Sequence, residues 1–172
     1  MNLKTKFAYA LSFGFLLLTV NGCGVYSFTG TNISPDVKTI SVATFYNESG
    51  NGPASISQTF SEGLRDFYQS NTNLELVNSN GDLQIEGRIS YYAVDNVAPT
   101  GDELAALNRL RIKVRINYIN TKDETQSFEN KQFTFFEDFD QQTTLQSVED
   151  ELIENISEQI FLDIFTETVA SW

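Results

Sequence analysis

Histidine is absent from this chain, cysteine occurs once, at Cys23, and proline only three times. Without imidazole, the commonest general base, the Ser-His-Asp and Cys-His arrangements and the usual nitrogen metal sites all drop out. One cysteine forms no disulfide within the chain, and once modified it offers neither a nucleophile nor a thiolate for zinc. Positive charge is scarce too. There are 11 Lys and Arg against 23 Asp and Glu, and Lys4 and Lys6 belong to the first residues, leaving 9 cations for the rest. So acidic a body repels nucleic acid and anionic membrane surfaces, and any anion it binds must meet a local cluster of those few cations. A membrane-crossing run is also missing. The apolar stretch from Phe7 to Val20 is shorter than the roughly 20 residues needed to cross about 30 Å of hydrocarbon.

What stands in that place is a short basic head, an apolar run and the segment Val20-Asn21-Gly22-Cys23, the layout of an exported protein's signal peptide. The segment resembles the bacterial lipobox, with an aliphatic residue at −3 and a small one at −1, although Asn21 is larger and more polar than usual at −2. The resemblance implies that Cys23 becomes the first residue, carrying diacylglycerol and a further acyl chain. At about 0.8 kcal/mol per buried methylene, two chains hold a protein stably on a membrane where one does not. Gly24 stands where an aspartate would resemble the inner-membrane retention signal, and no acidic run follows, so the expected address is the outer membrane with the body facing the periplasm. Residues 1–22 are thus expected as leader, 23–35 as lipidated tether and 36–172 as one domain, a length that suffices for a real core.

Fourteen Phe and seven Tyr suit a β-rich core. Residues 37–45 are apolar on both faces, as in a central strand beneath helices. After the turn 47–52, Pro53 marks a helix start, with Ile56, Phe60, Leu64 and Phe67 as one stripe. A short strand is expected at 74–77. From Leu83, the residues Leu83, Ile85, Gly87, Ile89 and Tyr91 alternate with Gln84, Glu86, Arg88, Ser90 and Tyr92, the period of a half-buried strand. Residues 95–104 read as a loop. In 108–120, Leu110, Ile112, Val114, Ile116 and Tyr118 face one way and Arg109, Arg111, Lys113 and Arg115 the other, and 126–138 pairs back antiparallel. The chain then changes period. Leu145, Val148, Leu152, Ile156, Ile160 and Ile164 form a helical stripe, with Thr143 and Gln146 spaced as a capping box. The expected order is β-α-β-β-β-α: an α+β two-layer sandwich with two helices packed on one face of a four-stranded, mostly antiparallel sheet.

The segments CGVYSFTG from Cys23, GDLQIEGRISYY from Gly81, NRLRIKVRINYIN from Asn108, FEDFD from Phe136 and the ending DIFTETVASW together resemble the LptE family of lipopolysaccharide-assembly lipoproteins, in the form found in Bacteroidetes-type bacteria. That resemblance implies a domain that plugs the LptD outer-membrane β-barrel, helps it assemble and assists lipopolysaccharide transport to the outer leaflet. It implies no catalysis, and no cofactor beyond the covalent lipid. A generic periplasm-facing lipoprotein adaptor for another envelope complex is the alternative. An enzyme would have to rest on carboxylates such as Glu137, Asp138 and Asp140, but in so acidic a chain neighbours of this kind arise by chance. Asp138-Phe139-Asp140 also lacks the spacing and glycine of a calcium loop. The candidate lipopolysaccharide-binding residues are Arg109, Arg111, Lys113 and Arg115. They either meet anionic lipid heads or pair across the sheet with acids such as Glu86 or Glu129.

Overall fold

The computed structural model describes residues 33–97 and 107–170. The leader, Cys23, the tether up to residue 32 and residues 98–104 of the expected loop lie outside the described residues, while residues 95–97 of that loop are strand instead. The elements run β1 (Thr39–Val42), β2 (Tyr46–Asn47), α1 (Ile56–Asn71), β3 (Glu75–Leu76), β4 (Leu83–Val97), β5 (Leu107–Asn120), β6 (Phe128–Asp140) and α2 (Leu145–Phe165), closing in a π-helical turn, Thr166–Ala170. One sheet of six strands has the order β3-β1-β4-β5-β6, with β2 also on β4.

The architecture is the expected α+β sandwich with six strands in place of four. β3 falls within the short strand expected at 74–77, which the four-strand count left out, and the unexpected piece is the two-residue β2, where the chain rejoins the ladder just past the expected 37–45 strand; two residues are too few to show a period. β1 is parallel to both β3 and β4, because α1 carries the chain back to the end from which β1 started. The antiparallel meander β4-β5-β6 supplies most of the ladder.

Packing divides the first strand. After Ala43 N bonds Ile85 O at 2.8 Å, the chain leaves the ladder and Phe45 N donates to Ser61 Oγ of α1 at 2.8 Å. That lets the buried Phe45 ring meet Phe60 at 5.0 Å between centroids. Gly87 makes the room, since a Cβ there would lie 2.6 Å from Phe45 Cε1 and 2.6 Å from Arg115 O.

A register shift between Ile89 and Tyr91 on β4 also corrects the expected alternation. Ser90 is the extra residue of a bulge, so the inward parity switches and Tyr92, rather than Tyr91, is buried. Its hydroxyl donates to Glu149 Oε1 on α2. α1 begins at Ile56, three residues past Pro53, whose carbonyl accepts from Ile56 N at 3.0 Å in the lead-in turn. The Thr143/Gln146 capping box does not form. Thr144 is the N-cap, and its hydroxyl bonds Ser147 Oγ at 3.2 Å rather than a backbone N–H.

All five inward residues of β5, from Leu110 to Tyr118, are buried, as are Leu152, Ile156, Ile160 and Ile164 of α2. A file of rings ties the two helices together: Phe60–Phe161 at 4.8 Å, Phe161–Phe67 at 6.1 Å and Phe67–Phe165 at 5.5 Å. Tyr68, outside the expected stripe, is fully buried and bonds the hydroxyl of Thr168 in the π-helical turn. Tyr118 donates to Thr168 O at 3.1 Å, so one residue after α2 fastens both α1 and the sheet.

Asp82 locks the other strands. Its Oδ2 accepts from Lys38 N at 2.9 Å, Thr39 N at 3.0 Å and Thr39 Oγ1 at 3.0 Å, while Oδ1 pairs with Lys122 Nζ at 2.8 Å. The Lys122 ammonium first, then the Lys38 amide, hold this carboxyl far below the usual carboxylate range. A depressed folded-state pKa contributes stability that is present above the unfolded value, about 3.9, and is lost as pH falls toward the folded value. Asp82→Asn should therefore lower the melting temperature at pH 7, and the gap to the parent protein should narrow as melts are repeated down to pH 3. A gap independent of pH would remove this role.

Candidate functional site

β5 alternates because a strand turns successive side chains to opposite faces. With the apolar set under the helices, Arg109, Arg111, Lys113 and Arg115 all stand on the uncovered face, neighbours about 6 to 7 Å apart. The structure thus brings the four candidates together, but their surroundings differ.

Arg109 is held most firmly. Its Nε lies 2.6 Å from Asp138 Oδ1 and its second nitrogen 2.8 Å from Oδ2, a two-point grip, and its Cζ sits 3.7 Å from the centre of the Phe136 ring. The Asp138 carboxylate raises the Arg109 pKa further, and Arg109 in turn lowers that of Asp138. Arg111 reaches diagonally to Asp95, NH1 to Oδ2, at 2.9 Å. The pairing acids are thus Asp95 and Asp138, not Glu86 or Glu129. Both lie directly opposite Arg109 in the ladder, whereas Glu86 faces Asn117 and accepts its amide N–H at 3.0 Å.

Toward the other end the neutralisation thins out. Lys113 Nζ lies 4.7 Å from the centre of the Tyr91 ring. Arg115 faces Arg88 on β4 and Gln132 on β6, and among the described residues it makes no ion pair. Arg88 binds Glu48 Oε2 at 2.8 Å and also donates to Asn130 Oδ1 at 2.8 Å. Sequence reading missed Arg88 as a member of this face, although the alternation of β4 already set it opposite the apolar positions. Like charges directly opposite on a sheet destabilise it; Glu48 offsets Arg88, so Arg115 is the member of this pair left without an ion pair among the described residues.

The acids considered for catalysis have separate surroundings. Asp138 is engaged by Arg109, Asp140 Oδ1 accepts from Gln142 N at 2.7 Å, and Glu137 sits opposite Leu110 of the core-facing set. Among the described residues there is no cluster of three or more His, Cys, Asp or Glu fit to hold a metal, and no helix long and apolar enough to cross a membrane.

A two-layer α+β domain with both helices on one face and a charged sheet surface on the other is the class these observations define. The chain belongs to the LptE family, described as lipopolysaccharide-assembly, whose model matches residues 37–168. Among solved structures, a hypothetical protein from Chlamydia trachomatis shares the fold at a TM-score of 0.50 and 10% identity, covering 77% of this chain and 98% of that one. A minor lipoprotein from Acinetobacter baumannii is similar at a TM-score of 0.45 and 17% identity, covering 77% and 96%. No curated protein matches the chain.

Proposed function

We propose that this protein is a non-catalytic outer-membrane lipoprotein, anchored through Cys23, that partners the LptD β-barrel as plug and assembly factor and assists lipopolysaccharide transport to the outer leaflet. The observation that carries this reading is the family match over residues 37–168, which takes in every strand and both helices. The body works from the periplasmic side or within the barrel. Depleting the protein should lower both the amount of correctly assembled barrel and the lipopolysaccharide at the cell surface. Unchanged levels of both would overturn the reading.

On this reading the basic face of β5 meets the phosphates of lipopolysaccharide, as the planar guanidinium can grip a phosphate with two hydrogen bonds. The geometry grades the four residues. Arg109 must leave both Asp138 and the Phe136 ring to bind an anion. Arg115 has no ion pair among the described residues to give up. Changing Arg109, Arg111, Lys113 and Arg115 to Gln should weaken lipopolysaccharide binding at low salt, with Lys113 and Arg115 accounting for most of the loss, and high salt should shrink the difference. Unchanged affinity in a folded variant would rule the face out as the lipid site.

A further inference from the structure

The opposite side of the molecule carries a different feature. Between α1 and α2 runs an open groove of about 540 Å³, within the range of about 300 to 1,000 Å³ typical of ligand pockets. Its floor is apolar, made by Ile56, Gly63, Phe67, Ile153 and Phe161. Gly63 lets α1 and α2 approach closely along this floor, because a Cβ there would come within 2.9 Å of the Phe161 ring. Its rim bears Asp66, Asp150, Glu154 and Glu158, all exposed. None of these carboxylates has an ion-pair partner among the described residues, and no Lys or Arg lines the groove. The nearest cation on α1, Arg65, points away, donating from Nε to Val42 O at 3.0 Å.

We propose that this groove docks a segment of another polypeptide in which a few apolar side chains are flanked by Lys or Arg. Charge selects that occupant. An anionic lipid head would be repelled by four carboxylates, so the groove and the basic sheet face sort ligands of opposite sign to opposite sides of the domain. Of this chain's own segments outside the described residues, 1–22 carry Lys4 and Lys6 beside an apolar run but are removed as leader on the proposed reading. Residues 23–32 of the tether have no Lys or Arg, and residues 98–106 contain none and add Asp102 and Glu103. A second copy of this face would set acid against acid. An apolar row filling the floor, with cations meeting the rim, matches both features together, in the manner of an amphipathic segment laid in a groove. The inference stands apart from the lipopolysaccharide reading, since a barrel, a chaperone or another envelope protein could supply such a segment.

The test places the photocrosslinker p-benzoylphenylalanine at Thr59 or Ser70 on the groove, and at Gln132 on the far sheet face, in the full-length protein in its own cells. Crosslinked peptides are then sequenced by mass spectrometry. The expected result is a peptide from another polypeptide with apolar residues flanked by Lys or Arg, found from Thr59 and Ser70 but not from Gln132. Glu154→Lys combined with Glu158→Lys should cut its yield about fivefold or more through like-charge juxtaposition, while circular dichroism and the melting curve show the fold retained. Crosslinks only to residues 1–32 of this chain, to a second copy or to lipid would overturn the proposal. So would no crosslink at the groove, or a yield indifferent to the charge reversal.

Discussion

Phe60→Ala is expected to lower the free energy of unfolding by about 3 to 5 kcal/mol, a large part of the roughly 5 to 15 kcal/mol that holds a domain folded. Phe60 is 2% exposed and stands between Phe45, at 5.0 Å, and Phe161, at 4.8 Å. It is therefore the ring through which the divided first strand, α1 and α2 share one core. Its removal leaves a cavity that neither helix can close without breaking the file of rings. Leu162→Ala is the control, since Leu162 lies on the outer side of α2 at 48% exposure and should cost no more than about 0.5 kcal/mol. Urea unfolding of the two variants decides the matter: similar losses would mean that Phe60 does not join the layers. In cells, a loss of that size should reduce the abundance of the protein by several-fold, because the unfolded fraction is removed continuously.

Cys23→Ala should abolish lipid attachment and leave the protein either uncleaved or soluble. The proposed anchor is the lipid carried by the Cys23 sulfur, which an alanine side chain cannot hold. Fractionation should find the variant either soluble or still carrying residues 1–22, in contrast to the parent protein. Sustained membrane retention with normal processing would overturn the anchor. Because the anchor and the fold are separate, the variant's melting temperature should match that of the parent, which distinguishes loss of attachment from loss of structure.

Much of the fold was legible wherever a segment is long enough to repeat. β5 reads correctly residue by residue because its inward positions are all branched or aromatic and its outward ones all polar from Arg109 to Asn117. The long stripe of α2 does so for the same reason at helical period. Legibility fails where one residue changes parity, as at the β4 bulge that turns Tyr92 inward, or where two residues make a strand, as in β2. It fails again at the partner of Tyr68, since the hydroxyl that its buried OH bonds is that of Thr168, 100 residues further on.

The same division holds for the candidate site. The sequence by itself determined that four cations of β5 share one face, because strand geometry alone puts alternate residues on the same side. It also determined that catalysis by histidine is out of reach and that an anion can be attracted only locally, since both follow from composition. Which of those cations stay available was decided by tertiary structure. The registers of β4 and β6 set Asp95 and Asp138 opposite Arg109 and leave Arg115 facing Arg88. The acid-rimmed groove likewise exists only once α1 and α2 lie side by side, with Gly63 against Phe161. Pairing across strands and helices depends on register, and register is set by the turns, the bulge and the packing of the whole sheet, not by any local run of residues.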